Sequence, residues 1–305
     1  VQITANSVEI NKFTIQNGAM YFGVHLLSAS NCMITENNIR NNDRGVVLYS
    51  SANNTVSGND MDGNSFLGTW LYYSTGNTIE TNDIRGGSFF GITLSYSYEN
   101  TVERNNVTNN AGIGLGGSGR NTIQSNNLTN TGGISLQVDS DWNNVKGNKI
   151  SNGSYGISLT QVRGNNVEGN DVINNPYGIG LGLADNNSIY HNNFIDNVEE
   201  VIIYESHNNA WDDGYPSGGN FWSDYTGVDF YSGPYRNETG SDGIGDTPYV
   251  IDENNQDNYP LVNPWPPIYD IAISDVTPSP CEVYVGWTVN ITVVVRNGGS
   301  RAENV

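Results

Sequence analysis

Hydrophobic positions along this chain recur with a period too long for one helix or one strand. The tripeptides Cys32-Met33-Ile34, Asn54-Thr55-Val56, Asn77-Thr78-Ile79, Asn100-Thr101-Val102, Asn121-Thr122-Ile123, Asn143-Asn144-Val145, Asn165-Asn166-Val167 and Asn187-Ser188-Ile189 start 22, 23, 23, 21, 22, 22 and 22 residues apart. Five residues after each start stands an Asn: Asn37, Asn59, Asn82, Asn105, Asn126, Asn148, Asn170 and Asn192. Two further on the residue is apolar, from Ile39 and Met61 to Val172 and Phe194. Later in many units comes Gly-x-x-Leu, as in Gly45/Leu48 and Gly156/Leu159. A degenerate first unit covers roughly Val8 to Leu27, and a ninth runs from Asn187 to about Tyr204.

Within each unit the apolar residues alternate over three short segments, the period of strands rather than helices. No unit carries enough apolar surface to bury a core alone, but stacked units cover one another. The pattern therefore predicts an all-β fold, a three-sheet parallel β-helix of about nine coils over residues 1–208. Successive coils pair at ~4.8 Å, so equivalent positions form ladders along the axis. Inward Asn side chains at the corners are expected to bond to the Asn above and below. Asn and Gly also tolerate the left-handed backbone that corners require. A helical repeat is a poor rival, because Asn, Gly, Thr and Val are inferior helix formers.

Composition narrows the function classes. The chain has 305 residues, 48 of them Asn and 36 Gly, with 32 acidic against 12 basic residues and a net charge of −20. That balance repels phosphates and excludes an ordinary nucleic-acid binder. No apolar run approaches the ~18 residues of a membrane span. Two cysteines, Cys32 and Cys281, make no disulfide framework. The chain opens on VQITANSVEI, without the charged segment and apolar core of a signal peptide, and reads as an excerpt of a longer protein. Sequons at Asn53, Asn106, Asn127, Asn152, Asn186, Asn237 and Asn290 are compatible with an exported glycoprotein.

The units N-x-I-x-x-N-x-I and G-I-x-L resemble the right-handed parallel β-helix repeats of the pectate-lyase-like superfamily. They are most similar to the NosD-type, carbohydrate-binding and sugar-hydrolase repeats of archaeal surface proteins. The resemblance covers residues 7–208 and implies the fold; one fold hosts many activities. NosD-type proteins also imply copper, which takes His, Cys and Met ligands. Met20, His25, Cys32 and Met33 lie near the first coils, without a regular ligand spacing.

Residues 209–267 lose the period and are rich in Gly, Pro, Trp and Tyr. This segment is expected to cap the open solenoid end, with Trp211, Phe221, Trp222, Tyr225 and Trp265 as plugs. From Asp196 to Asp275 there are 16 acidic residues and one basic residue, Arg236. Asp242, Asp246, Asp252 and Asp257, with Asn254, offer hard oxygens spaced by Gly, a donor set that suits calcium. The competing reading is a solvated loop whose Asp residues cap turns. From Ile268 the alternation of Ile271, Ile273, Val289, Ile291, Val293 and Val295 resembles the opening strands of a CARDB-type, immunoglobulin-like domain over 268–305.

In β-helices that act on polysaccharides, the resemblance implies a site along the outward face of one sheet. One outward column holds His25, Val47, Trp70, Thr93, Gly114, Ser135, Ser158 and Gly180; its partner holds Leu27, Tyr49, Tyr72, Ser95, Gly116, Gln137, Thr160 and Gly182. Aromatic faces stack on sugar rings, so Tyr49, Trp70, Tyr72, Tyr73 and Tyr96 form a candidate glycan platform. The alternative is that they pack under a loop or a neighbour. Asp60 and Asp83 share a column in consecutive coils, as do Glu80 and Glu103, and like charges so placed should raise one pKa or recruit a cation. These are the candidate acid–base pairs if the chain is an enzyme; the alternative is ion-paired surface beside Arg85 and Arg104. The lyase and polygalacturonase signatures implied by the superfamily are not matched.

These readings point to an extracellular, cell-surface structural or adhesive β-helix, non-catalytic and either glycan-binding or self-associating end to end. The latter follows because the chain enters its repeat without a capping helix, leaving a strand edge to be covered. The alternative is a polysaccharide lyase, hydrolase or epimerase. An immunoglobulin-like sandwich needs ~100 residues, so the isolated peptide 268–305 is expected not to fold; a sharp cooperative melt of that peptide contradicts the assignment.

Overall fold

A computed structural model of the protein describes residues 1–18 and 21–266 in full, and the backbone of two further strands, Ile271–Ser279 and Asn290–Asn297. Among the described residues there is no helix. Three parallel sheets run along one axis. Sheet I has ten strands, from Gln2–Ile3 to Glu199–Tyr204. Sheet II has nine, from Glu9–Asn11 to Ser188–Tyr190, and sheet III ten, from Thr14–Gln16 to Phe221–Trp222. Each coil visits sheets II, III and I in turn; in the fourth these strands are Thr78–Glu80, Asp83–Arg85 and Ile92–Ser95. Counting from Glu9–Asn11 gives the nine coils that the repeat implies.

The apolar columns line the interior. Ile79, Val102 and Ile123 stack in sheet II, Ile84, Val107 and Leu128 in sheet III, and Leu94, Leu115 and Leu136 in sheet I, all buried. Gly45 and Gly68 sit where the backbone of the next coil comes close: a Cβ on either would lie 2.5 Å from a carbonyl oxygen. That close approach is the reason for the Gly-x-x-Leu unit.

Two buried Asn columns fill the corners flanking sheet II. The Asn82 backbone N–H and Nδ2 both donate to Asn105 Oδ1 at 3.0 Å, and Nδ2 also donates to the Val56 carbonyl of the coil before at 2.9 Å. Asn105 repeats this toward Asn126, and Asn126 toward Asn148. The second column runs Asn54, Asn77, Asn100, Asn121 and onward with the same bonds. In its first position Cys32 replaces Asn, and its N–H still donates to Asn54 Oδ1 at 2.8 Å. A Ser column at the corner after sheet I (Ser51, Ser74, Ser97, Ser118 and Ser140) works alike, each backbone N–H donating to the next Oγ. Sequence reading passed over that column, although it shares the same period.

The ladder Asn are not the left-handed residues of their corners. That conformation falls one residue earlier, with φ of 52° at Thr81, 53° at Arg104 and 57° at His191. The strained position points outward and accepts many residue types. The inward position does the bonding and stays Asn.

The ladder bonding runs past residue 208. Asn187 donates to Asn209, Ala210 bridges Ser188, and Phe221–Trp222 adds to sheet III. Trp211 and Trp222 are buried over the end of the core, and Phe194, Trp222 and Tyr249 stack in sequence at 4.6 and 4.5 Å. Trp265 sits elsewhere, stacked on His191 at 3.7 Å. Ile271–Ser279 and Asn290–Asn297 pair antiparallel with a register shift between Ile273 and Asp275. The side chains of that region, with Val289 and Cys281, lie outside the described residues.

Asn105→Ala would leave two buried donors of Asn82 without an acceptor. At about 1–3 kcal/mol for each orphaned group, it should cost about 2–5 kcal/mol in urea unfolding. Asn127→Ala on the exposed face of sheet III should cost under about 0.5 kcal/mol.

Candidate functional site: an aromatic face on sheet I

The outward columns of sheet I fall in the register read from the repeat. Trp70 pairs with Val47 and Thr93, and Tyr72 with Tyr49 and Ser95. On coils two to four the five aromatics converge. Tyr72 lies at the centre, 5.3 Å from Tyr49, 5.1 Å from Trp70, 4.4 Å from Tyr73 and 6.1 Å from Tyr96. Tyr73 and Tyr96 stack at 5.2 Å with 17° between their planes. A hydrogen bond to Tyr73 raises the Tyr72 phenol above its ordinary value. Trp70 Nε1 donates to Ser95 Oγ at 3.2 Å, which fixes the indole across the coil boundary.

Tyr73 and Tyr96 occupy the corner after the strand with φ of 50° and 49°. A residue with a Cβ gives up roughly 1–2 kcal/mol there. Equivalent corners use Ser50 and Gly117, so the backbone does not demand Tyr. Both rings are about half exposed.

A second group, of which the sequence marks Phe89 and Phe90 as neighbours of the aromatic columns but not Phe66, flanks the other end of these strands. Phe66 and Phe89 stack at 5.3 Å, and Phe90 meets Phe89 edge-on at 4.9 Å. The Arg44 guanidinium lies 5.0 Å over Phe66, 5.4 Å over Trp70 and 5.5 Å over Phe22, and pairs with Asp43 at 2.7 Å. Phe66 precedes its strand at an irregular corner, so the repeat alignment does not place it.

The carboxylate pairs sit on the other two faces. Asp60 and Asp83 are neighbours in sheet III, and Glu80 and Glu103 in sheet II. The recruited cation is internal: Arg85 pairs with Asp60 and Asp83 and reaches Asp62 at 3.8 Å, while Arg104 binds Glu80 and Glu103 at 2.6 Å each. Neither pair shares a face with the aromatics.

In the cap, the four carboxylates expected to share a cation do not converge. Asp242 accepts the N–H groups of Gly233 and Ile244, and Asp246 those of Phe230 and Tyr231. Asp252 accepts from Asn254 and Asn255. Asp229, not anticipated, accepts from Asp242 and Gly243, and burial pushes its carboxyl up. Each of these carboxylates thus holds backbone donors. Asp257 is fully buried. It accepts from Asn220 N–H at 2.7 Å, Trp222 Nε1 at 2.9 Å and Tyr259 N–H at 3.0 Å. Because Asn220 Oδ1 accepts from Asn192, Asp257 terminates an Asn ladder.

This three-sheet solenoid is a right-handed parallel β-helix. Similar solved structures include an alginate lyase from Paenibacillus sp. str. FPU-7, 14% identical with a TM-score of 0.54 over 72% of this chain and 85% of that one. The A-module of the Azotobacter vinelandii mannuronan C-5 epimerase AlgE6 is 14% identical, with a TM-score of 0.55 over 67% of this chain and 65% of its own. The periplasmic alginate epimerase AlgG is 17% identical, with a TM-score of 0.53 over 68% and 60%. The chain thus spans most of the lyase but less than two thirds of either epimerase, and at these identities the likeness is one of fold. No curated protein sequence matches it. The family described as periplasmic copper-binding protein (NosD) matches residues 2–143 and, overlapping, 90–227, and the chain belongs to that family.

Among the described residues, no ligand set for the copper of that description is assembled. His25 packs edge-on against Phe22 on sheet I, Cys32 is buried with Sγ 3.4 Å from the Ala5 carbonyl, and Met33 is exposed on sheet II. Met20 lies outside the described residues. Among the described residues no group of three His, Cys, Asp or Glu is placed to hold a metal.

Burial lifts the Asp257 carboxyl from its ordinary 3.8 to about 7, against its three N–H donors. A folded value above the unfolded one means that the native state holds its proton more tightly. The resulting stability is present below about pH 4 and is lost as pH rises through about 7. The melting temperature should therefore fall between about pH 5 and pH 8. Asp257→Asn should start less stable, because its amide faces the Tyr259 N–H, and should show a flatter fall; equal slopes in the two proteins contradict the assignment.

Proposed function

We propose that this chain is a non-catalytic, polysaccharide-binding β-helix that works outside the cytoplasm, in the periplasm or at the cell surface. The observation that carries the reading is the convergence of Tyr49, Trp70, Tyr72, Tyr73 and Tyr96 on one outward face, two of them at strained corners. Aromatic faces suit the apolar faces of sugar rings, and phenol and indole groups add directional bonds. The equivalent corners hold Ser50 and Gly117, so the scaffold does not require the exposed pair Tyr73 and Tyr96. The word periplasmic in the family description and the exposed sequons at Asn53, Asn152, Asn186 and Asn237 support the location. No helix among the described residues is long and apolar enough to cross a membrane.

The rival reading, a polysaccharide-active enzyme, draws on relatives in fold named as a lyase and as epimerases. Its candidate acids are Asp60, Asp83, Glu80 and Glu103, already bound to arginines on the other two faces.

A panel of polysaccharides, titrated and then analysed for product, separates the two. The proposal expects binding without shortened or unsaturated sugars. Turnover that is abolished by Asp60→Asn with Asp83→Asn supports the enzyme instead. Tyr73→Gly with Tyr96→Gly relieves two left-handed corners while losing one stacked pair, terms of similar size. The double variant should therefore keep its unfolding free energy within about 1 kcal/mol while its affinity falls at least about tenfold.

A further inference from the structure

We infer that the glycan held by this face is an uncharged one, seated in a cleft over Gly114 and Gly116; this rests on the polysaccharide-binding reading. Beside the tyrosines the sheet I surface dips into a cleft of about 170 Å³, lined in part by Phe89, Phe90, Thr93, Ser95, Gly114 and Gly116. Its two sides are aromatic. The Phe90 ring leans over Gly114 so closely that a Cβ there would lie 2.8 Å from it, and Tyr96 stands equally close over Gly117. Between them, a Cβ on Gly116 would meet nothing within 4 Å. Packing therefore explains the glycine at 114 but not the one at 116, where open space remains above the backbone.

The polar groups on this floor suit hydroxyls. Ser95 Oγ accepts from Trp70 Nε1, which leaves its own proton to donate. A sugar hydroxyl can accept that proton.

The absence of charge on this floor sets the ligand class. In a chain of net charge −20, the sheet I strands Ile92–Ser95, Ile113–Gly116, Ile134–Gln137, Ile157–Thr160 and Tyr177–Gly182 carry no ionisable residue except Tyr177. The nearby cation, Arg44, is paired with Asp43 and covered by three aromatic rings. A polyuronate carries a carboxylate on every ring. Here it would lose hydration without gaining a counter-charge, against the field of an acidic protein. An uncharged glycan meets neither penalty.

The test uses the whole chain with laminarin and mannan as neutral probes and alginate and polygalacturonate as acidic ones. Gly116 has no left-handed φ, so Gly116→Val fills the cleft without strain; Gly182→Val fills the equivalent open position three coils on. The expected result is that a neutral probe binds, that Gly116→Val weakens it at least tenfold, and that Gly182→Val leaves it unchanged, with the same melting temperature in all three proteins. Tighter binding of an acidic probe, or equal loss in the two variants, overturns the uncharged-glycan assignment and leaves polysaccharide binding standing. Binding of none of the four probes overturns this inference; loss of all polysaccharide binding across a wider panel overturns the reading beneath it as well.

Discussion

The buried asparagine ladder is the interaction on which the rest of this molecule depends. A coil of 21 to 23 residues leaves corners where the backbone turns inside a dry core, and each corner carries polar groups that water cannot reach. One Asn per corner meets the requirement with its two amide protons and its carbonyl oxygen, bonding the coil before and the coil after. Unmet, those groups would each cost more than a normal bond contributes. Asp could not take over the repeat, since every step needs a donor as well as an acceptor. At the last step a donor is no longer needed, and there Asp257 takes the place of another Asn.

Because bonding is confined to inward positions, the outward positions are free to vary. The same corner after sheet I holds Ser50, Tyr73, Tyr96, Gly117 and Gln161 without change of conformation. The aromatic face is thus a decoration on a scaffold that neither needs it nor is disturbed by it. The carboxylate columns show the opposite economy: Arg85 and Arg104 bind them locally, on faces that the aromatics do not share.

How much of this is legible in sequence follows from distance along the chain. The columns of Trp70 and Tyr72 could be read because their neighbours lie one period away and nothing else determines their position. The charges beside Asp83 were visible as a column, but whether a cation or Arg85 would satisfy them depended on a side-chain reach that periodicity does not encode. Past Asn209 the period fails. Asp257 meets Trp222 across 35 residues of irregular chain, and no local pattern marks that pairing. The Gly-spaced aspartates carry two readings for a related reason: an oxygen held by a backbone N–H and one held by calcium require the same residue at the same spacing.

Hydrogen exchange across the full chain, with and without a bound neutral oligosaccharide, tests the central claim that an invariant inner ladder carries a separately adapted outer face. The account predicts slow exchange at Asn82, Asn105, Asn126 and Asn148 that the ligand leaves unchanged, with new protection confined to residues 66–73 and 89–96 and the glycine floor at 114–117. Ladder amides that respond to ligand, or new protection over Asp60–Asp62 and Asp83–Arg85, would contradict it.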